Sequence, residues 1–442
     1  MINERNAKIA LASVFFLYVL VMRTYDVAST FLMLGEQTRD WTIALGSITD
    51  LPLTGAPSTA GGRGFGPVYY WLLWTGRVGI GPFLDNLPHA GGITVALLQS
   101  IADVWLFIAL SRRIHWAFAL ALCLAIASAP FDIAISSLIW NPPVSAALIK
   151  MATAMALSLN PTSPLWQVGM AAALAWCAVQ AHLSGLFVAA PLLAALAFTR
   201  RLRGALVVAG VVLVLQIPFL VSVLRDPAGP AGPTTAIAGI INPKAVRPWL
   251  AYDTVTGITG NLLLPMSDRP VVFAVATLLL GLIVGFVYRR DLMLLSVSIG
   301  GVLTATLLFT TSTRNYDGYW FIPLTTALAL TFGMAIAAIP SKTAVKWIGV
   351  AALLLVAWRQ PARIEDSKRF FKYPQYETMV RGSRQLIMQA PVVRDIRVSF
   401  EVHPTMDRQF IYKILGGRID GSALYTAVIN ADGSIKLDRG LE

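Results

Sequence analysis

Long apolar runs alternate with short polar segments along most of the chain, and this pattern predicts a bundle of membrane-crossing helices. Each run has about the length that a helix rising ~1.5 Å per residue needs to cross a bilayer. We predict about eleven crossings. They fall near residues 9–25, 92–110, 114–131, 143–158, 165–181, 184–199, 204–223, 270–287, 292–310, a run that ends near Ser341, and 343–358.

Basic residues between the runs indicate how the chain is oriented. They cluster at 112–113, 200–203, 289–290 and 342–346. If the N-terminus is cytoplasmic, all four clusters fall inside, as the positive-inside rule requires. A single missed crossing would place the later clusters on the opposite side. The longer polar connections, 26–91 and 225–269, are then predicted to lie outside.

Composition agrees with an integral membrane protein. The 442 residues are 56% hydrophobic and 13% charged, with a mean hydropathy of +0.66, whereas soluble domains carry about 25% charged residues. The net charge of +12 is accounted for by the basic clusters. We therefore expect the lipid bilayer as a partner and no nucleic acid.

The sequence becomes polar and mixed from about Pro361 onwards. Residues 374–390 and 406–415 read as helices, 394–401 as a strand, and 422–437 as a hairpin that turns at an Asp-Gly pair. The predicted fold class is an all-α polytopic membrane protein with a small α+β domain. We divide the chain into a transmembrane domain, 1–360, with an outer loop at 26–91, and an outer domain, 361–442.

The loop from Gly35 to Trp74 holds the candidate catalytic residues. Glu36 and Asp40 are four residues apart, so a helix would place both on one face with Arg39 alongside. A carboxylate just outside a membrane helix can act as a general base, and an arginine beside it can keep it ionised or bind a lipid phosphate. An ordinary helix start also favours acidic residues, so the pattern alone does not decide.

Other candidates would bind substrate. Cations in the outer segments could hold a phosphate-bearing lipid, although ordinary headgroup contact explains any single one. These cations are Arg63, Lys244, Arg247 and Arg314. Uncharged candidates are Tyr69, Tyr70, Asn141 and His182. Asp103 lies deep within the second crossing. We therefore expect either a structural partner or a neutral, protonated carboxyl group, and not a catalytic role.

The sequence shows no metal-ligand spacing, phosphate-binding loop or dinucleotide fingerprint. We predict no cofactor and leave a divalent metal ion open.

Several short motifs occur in a recognisable order. They are Met22-Arg23-Thr24-Tyr25, Gly35-Glu36-Gln37-Thr38-Arg39-Asp40, Gly66-Pro67-Val68-Tyr69-Tyr70-Trp71, Trp140-Asn141-Pro142 and Gln180-Ala181-His182. Together they resemble the GT-C membrane glycosyltransferases, in particular bacterial family 39-like proteins related to protein O-mannosyltransferases and to the lipid A aminoarabinose transferase. The resemblance covers the first 200 residues and, more weakly, Arg314 to Pro323.

The resemblance implies transfer of a sugar, with inversion, from a polyprenyl-phosphate-linked donor at the periplasmic face of the bacterial inner membrane. It places the family's catalytic Asp on Glu36 and its arginine on Arg39. Glu is a departure from that pattern, so either Glu36 or Asp40 remains as the base. Asn141 stands where some relatives carry an acidic residue, which weakens the case for a metal. The segment around Tyr69 and Tyr70 resembles the family's interfacial helix.

The acceptor implied by the resemblance is a lipid, a polysaccharide or a protein. Two other functions remain open at this stage. A transporter or flippase of a lipid-linked sugar would need the same membrane body but no outer carboxylate, and would be expected to show inverted repeats. A non-catalytic scaffold would have no polar cavity at the outer surface.

Overall fold

Helices form most of the structure. The computed structural model describes residues 4–57, 62–199, 201–225, 246–264, 269–312, 317–372, 375–389, 396–400, 410–417, 425–429 and 434–439. The first half contains α1 (Glu4–Thr24), α2 (Val27–Thr30), α3 (Gly35–Leu45), α4 (Val68–Gly79), α5 (His89–Leu110), α6 (Trp116–Ala127), α7 (Pro130–Ile135), α8 (Asn141–Ser158), α9 (Leu165–Ala181), α10 (Leu186–Thr199) and α11 (Arg201–Arg225). The second half contains α12 (Pro248–Leu263), α13 (Pro270–Val287), α14 (Leu292–Phe309), α15 (Ile322–Ala337), α16 (Lys342–Ser367), α17 (Gln375–Gln389) and α18 (Phe410–Ile414).

The chain is a multi-pass membrane protein. Among the described residues, six helices are long and apolar enough to cross a membrane. They cover Asn6–Thr30, His89–Leu110, Arg201–Arg225, Pro270–Val287, Leu292–Phe309 and Gly318–Ala337. Helices α6, α9 and α10 are apolar but shorter. The count of eleven crossings and the orientation of the termini therefore stay predictions.

Helix α8 lies at the centre of the bundle. Every residue from Pro142 to Leu157 is buried, and the helix packs against α5 and α9. Alanines at many of these positions let the backbones approach closely, as membrane helix interfaces favour. Helix α11 is the opposite case, because only Gly204 and Phe219 are buried along it. Its exposed apolar surface suits contact with lipid.

The structure places a helix inside the segment 225–269, which the sequence pattern assigned to an outer loop. Helix α12 begins with Pro248 at its first turn, a favourable position for proline. It buries a stripe that includes Ala251, Val255 and Thr259, spaced at one helical turn. Small and hydroxyl side chains make up much of this stripe. The hydropathy of the segment therefore shows only a weak helical repeat.

Two boundaries also differ from the predicted ones. The third crossing, 114–131, is interrupted: α6 ends at Ala127, and Pro130 starts the separate helix α7. Helix α16 continues through Pro361 to Ser367, so the change of composition near residue 361 does not coincide with a break in secondary structure.

Four buried charged side chains join four helices. Arg23 of α1 pairs with Asp103 of α5 at 2.6 Å and with Asp132 of α7 at 2.8 Å. Lys150 of α8 pairs with the same two carboxylates at 2.8 and 3.3 Å. All four side chains are at most 6% exposed. We call these residues the charge quartet; its two positive and two negative charges balance, which is how charge is tolerated inside a membrane protein.

The C-terminal segment contains three short strands. Strand β1 (Ile396–Phe400) pairs in parallel with β2 (Tyr425–Ile429), which pairs antiparallel with β3 (Ile435–Arg439). Val398 lies opposite Ala427, and Ala427 opposite Leu437. The predicted turn of the hairpin, 430–433, lies outside the described residues. That residues 361–442 form a separate α+β domain stays a prediction.

Helix α17 and the residues before it pack against the first polar connection. Lys372 pairs with Asp26 at 2.8 Å, and Arg384 pairs with Asp85 at 2.5 Å. Between these ion pairs, the buried Tyr376 hydroxyl is 3.0 Å from His89 Nδ1. The contacts join the C-terminal segment to the start of α5 and to α2.

Replacing Tyr376 by Phe should lower the free energy of unfolding by about 1–3 kcal/mol, because a buried polar atom of His89 loses its partner. The thermal unfolding midpoint in detergent measures this. Met388, exposed on the same helix, provides the control, since its replacement by Ala should leave the midpoint unchanged. An unchanged midpoint for Tyr376→Phe would show that this hydrogen bond does not stabilise the docked helix.

Candidate active site

Asp40 is the centre of a hydrogen-bonded cluster between α3 and α4. Its carboxylate is 2% exposed and accepts hydrogen bonds from the Tyr69 hydroxyl at 3.0 Å, the Tyr70 hydroxyl at 3.1 Å and Arg39 Nε at 2.8 Å. Burial raises the pKa of Asp40 above its ordinary value, while the Arg39 guanidinium and the two hydroxyls oppose that shift. The cluster fixes Arg39 and leaves little of the Asp40 carboxylate open to a substrate.

Tyr69 and Tyr70 lie on the segment that resembles the family's interfacial helix, and both side chains face the interior of the protein. Tyr69 and Tyr70 are fully buried, whereas Trp71 on the same helix is 42% exposed. The reason is that α4 packs against α3 and α5, which turns both phenol rings towards Asp40. Their role in the structure is to hold that carboxylate.

Glu36 has a different environment from Asp40, although both lie on α3. It sits exposed in the first turn of the helix, and within the described part of the chain it makes no hydrogen bond or ion pair. Arg39, with its side chain 38% exposed, follows three residues later and uses only Nε to bind Asp40. An accessible carboxylate and an accessible guanidinium therefore stand next to each other on one helix.

Asn141 and His182 meet at the start of α8 and the end of α9. Asn141 Nδ2 donates a hydrogen bond to the Ala181 carbonyl at 3.1 Å. His182 Nδ1 lies 2.7 Å from Ser184 Oγ and accepts from the Ser184 amide at 3.3 Å. Burial lowers the pKa of His182 to about 3, so the imidazole is neutral at physiological pH.

Aromatic rings surround His182. Its ring lies 4.9 Å from Trp320 and 5.9 Å from Tyr319, between ring centroids. Tyr319 in turn lies 4.8 Å from Trp140, which is 5.7 Å from Phe371. The segment before α15 was singled out in the sequence for Arg314, and its aromatic residues were missed. The only signal for Tyr319 and Trp320 in the sequence is their position five and six residues after that arginine.

A glycine-rich segment, with Gly62, Gly64 and Gly66, packs the first polar connection against the ends of α9 and α11. The Gly55 amide donates to the Gly64 carbonyl at 3.0 Å, and the Gly64 amide donates to the Ala56 carbonyl at 3.1 Å. A Cβ on Gly66 would come within 2.4 Å of the Gln180 side chain, and Gln216 Nε2 donates to the Phe65 carbonyl at 3.0 Å. Only glycine allows this close approach.

A further contact joins α3 to the same end of the bundle, since Gln37 Nε2 donates to the Ile139 carbonyl at 3.3 Å. The structure thus brings Glu36, Arg39 and the Asp40 cluster to the end of the bundle where Asn141 and His182 meet. The positive charge of Arg63 opposes the rise that burial causes in the pKa of Tyr70. These predicted site residues form one region although they are far apart in sequence.

Three of the predicted phosphate-binding cations are not placed in this region by the described contacts. Arg247 is exposed at the start of α12, and its backbone amide donates to the Thr310 carbonyl at 2.8 Å. Lys244 and Arg314 lie outside the described residues. Among the residues that the structure covers, no group of three or more His, Cys, Asp or Glu could hold a metal ion. A metal requirement therefore remains open.

Comparison with known proteins identifies the fold. No protein-family model matches the sequence, and no curated protein is similar to it. Solved structures do match. ArnT from Cupriavidus metallidurans, a lipid A aminoarabinose transferase, matches in the apo state with a TM-score of 0.60 and 14% identity, over 92% of this chain and 85% of that chain.

Two further structures are similar. ArnT bound to undecaprenyl phosphate gives a TM-score of 0.55 at 14% identity, over 94% of this chain and 86% of that one. The archaeal oligosaccharyltransferase AglB from Archaeoglobus fulgidus, in complex with an inhibitory peptide and a dolichol-phosphate, gives 0.46 at 13% identity, over 86% and 58%. These proteins are GT-C membrane glycosyltransferases. The likeness to the two ArnT structures confirms the predicted GT-C fold.

Proposed function

We propose that this membrane protein with a GT-C fold transfers a sugar from a polyprenyl-phosphate-linked donor to an acceptor hydroxyl or amine. The observation that carries the proposal is the exposed Glu36 carboxylate beside the exposed Arg39 guanidinium, held at the end of the bundle by the Asp40 cluster. A transferase of this kind needs a base and a phosphate-binding cation side by side. Solved structures of the same fold include one bound to undecaprenyl phosphate.

The reaction is a single displacement. The acceptor gives its proton to the Glu36 carboxylate, and its oxygen or nitrogen attacks the anomeric carbon of the donor. The bond between that carbon and the phosphate oxygen breaks, and the electron pair leaves with the polyprenyl phosphate. Attack from the face opposite the leaving group inverts the anomeric carbon.

Cations stabilise the charge that develops on the leaving phosphate. Arg39 offers its two Nη groups for this, because its Nε already binds Asp40. Arg63 lies near the same cluster. Lys244, Arg247 and Arg314 complete the proposed set of phosphate-binding cations. We place the reaction at the periplasmic face of the inner membrane, where the positive-inside rule puts this end of the bundle.

The test uses purified full-length protein in lipid with a labelled polyprenyl-phosphate sugar and a membrane extract that supplies acceptor. Release of polyprenyl phosphate together with labelled acceptor is expected. Movement of intact labelled donor across liposomes, with no release, would overturn the transferase and favour the flippase. A protein that does neither would favour the scaffold.

Replacing Tyr70 by Phe should shift the acid limb of the pH–rate profile to higher pH, by about one pH unit or less. The Tyr70 hydroxyl stabilises the ionised Asp40 carboxylate, so its loss raises the pKa of Asp40 further. Asp40 must be ionised to hold Arg39, and activity is therefore lost at a higher pH as the medium is acidified. Tyr25→Phe, at an exposed tyrosine, should leave the profile unchanged; an unshifted Tyr70→Phe profile would mean that Asp40 ionisation does not limit the rate.

A further inference from the structure

A groove of about 990 Å³ lies at the end of the bundle opposite the candidate active site. It opens where α5, α8 and α10 end and where α13 leads into α14. We call it the arginine groove and define it by Arg113, Phe198, Phe286, Arg289, Arg290 and Asp291. Helix α8 runs from Asn141 at the active site towards this groove, and its 18 residues rise about 27 Å. The groove is therefore a separate feature, with a volume typical of ligand pockets.

The groove carries an excess of positive charge. Its one carboxylate, Asp291, is fully engaged: Oδ2 pairs with Arg113, and Oδ1 accepts from the Leu294 amide at 3.0 Å. Arg113 is fixed further by donating Nε to the Leu157 carbonyl at 2.9 Å. Arg289 and Arg290 remain exposed at the rim. Two guanidinium groups are thus left without a carboxylate to balance them within the groove lining.

Apolar side chains continue from these arginines along the groove wall. Phe198 is 76% exposed and Phe286 is 72% exposed, on helices that are apolar enough to lie in a membrane. The Arg289 guanidinium lies 5.5 Å from the centre of the Phe286 ring, which holds the charge directly beside the apolar wall. The groove therefore has a cationic rim and an apolar side.

We propose that the arginine groove binds an anionic phospholipid. The phosphodiester would lie between Arg289 and Arg290, because guanidinium groups pair with phosphate oxygens through two parallel hydrogen bonds. An acyl chain would lie along Phe198 and Phe286. Basic grooves between membrane helices commonly recognise acidic headgroups in this way. The concave shape and the apolar wall distinguish this site from arginines that merely end a membrane helix.

The test titrates the purified full-length protein in detergent with phosphatidylglycerol or phosphatidylcholine of equal chain length. Bound lipid is counted by native mass spectrometry, and thermal unfolding is followed in parallel. Phosphatidylglycerol should bind and raise the unfolding midpoint. Phosphatidylcholine should bind much more weakly, because it carries the same phosphodiester together with a choline cation that the two arginines repel. Arg289→Gln with Arg290→Gln should weaken phosphatidylglycerol binding by about tenfold or more, since charge-assisted hydrogen bonds are lost.

A matched variant removes the same charge outside the groove. Lys342 and Lys346 lie at the start of α16, next to the start of α6 and hence at the same end of the bundle. Lys342→Gln with Lys346→Gln should keep the affinity. Equal weakening by both double variants would reduce the effect to general surface charge and overturn the proposal.

Two further measurements distinguish binding of a lipid from binding of a free anion. Phosphatidylglycerol binding should weaken in Phe198→Ala, while inorganic phosphate alone should not raise the unfolding midpoint. If inorganic phosphate reproduced the full shift, and Phe198→Ala had no effect, the groove would be an ion site and the proposal would fail. These assays contain no sugar donor, so their outcome is independent of the proposed transferase activity.

Discussion

Glu36→Gln is expected to lower the rate of polyprenyl phosphate release by about 10²–10⁴-fold, the usual contribution of a general base. The amide keeps the shape of the side chain but cannot take the proton of the acceptor. Glu36 is exposed and unpaired in the described part of the chain, so its replacement should leave the unfolding midpoint unchanged. Binding of the donor should also persist, because Arg39 and the other cations are retained.

Asp40→Asn should behave differently, because Asp40 is buried with three donors around it. An amide offers one acceptor oxygen where the carboxylate offers two, and its NH₂ group would face another donor. We expect a lower unfolding midpoint together with weaker donor binding, since Arg39 loses the partner that holds it. Loss of activity in this variant would therefore be accompanied by loss of stability.

The control is Asp50→Asn, which removes an exposed carboxylate from the same polar connection and should retain full activity. Glu36→Asp should retain part of the activity, because it keeps the base but shortens its reach by one methylene. If Glu36→Gln stayed active while Asp40→Asn lost activity with an unchanged unfolding midpoint, Asp40 would be the base and the assignment would be wrong.

The sequence pattern predicted those elements that depend on local properties. The apolar runs 165–181 and 270–287 coincide with helices α9 and α13, because long apolar runs form helices in a membrane whatever packs beside them. Helix α17 was predicted near 374–390 for a different reason, because its apolar positions recur at the helical period. Helix α12 was missed because the face it buries is rich in Thr and Gly.

In the candidate site, the local sequence pattern is not sufficient to predict which carboxylate is exposed. Glu36 and Asp40 have the same helical spacing and similar chemistry, so the sequence treated them alike. The structure separates them because Tyr69 and Tyr70, about thirty residues further along, cover one and leave the other exposed. No periodicity within α3 contains that information.

The charge quartet likewise depends on residues that are far apart in the sequence. Its disruption gives the second of the two largest predicted effects, a loss of stability. Lys150→Met should lower the free energy of unfolding by about 3–5 kcal/mol, because it leaves two buried carboxylates facing Arg23 alone. Reduced yield of folded protein and a lower unfolding midpoint in detergent would measure the loss. Lys368→Met, which breaks the exposed pair with Glu365, should change neither quantity.

A compensating change distinguishes charge balance from loss of packing. Adding Asp132→Asn to Lys150→Met leaves Arg23 with one carboxylate, so the buried region is neutral again. The double variant should regain a large part of the stability that Lys150→Met loses, and the cycle of single and double variants gives the coupling between the two sites. If the losses simply added, the lysine would stabilise the bundle by packing and not by its charge. Asp132 lies on α7, just before the segment that reaches Asn141. We therefore expect Lys150→Met to weaken donor binding as well, and the double variant to recover part of that binding together with its stability.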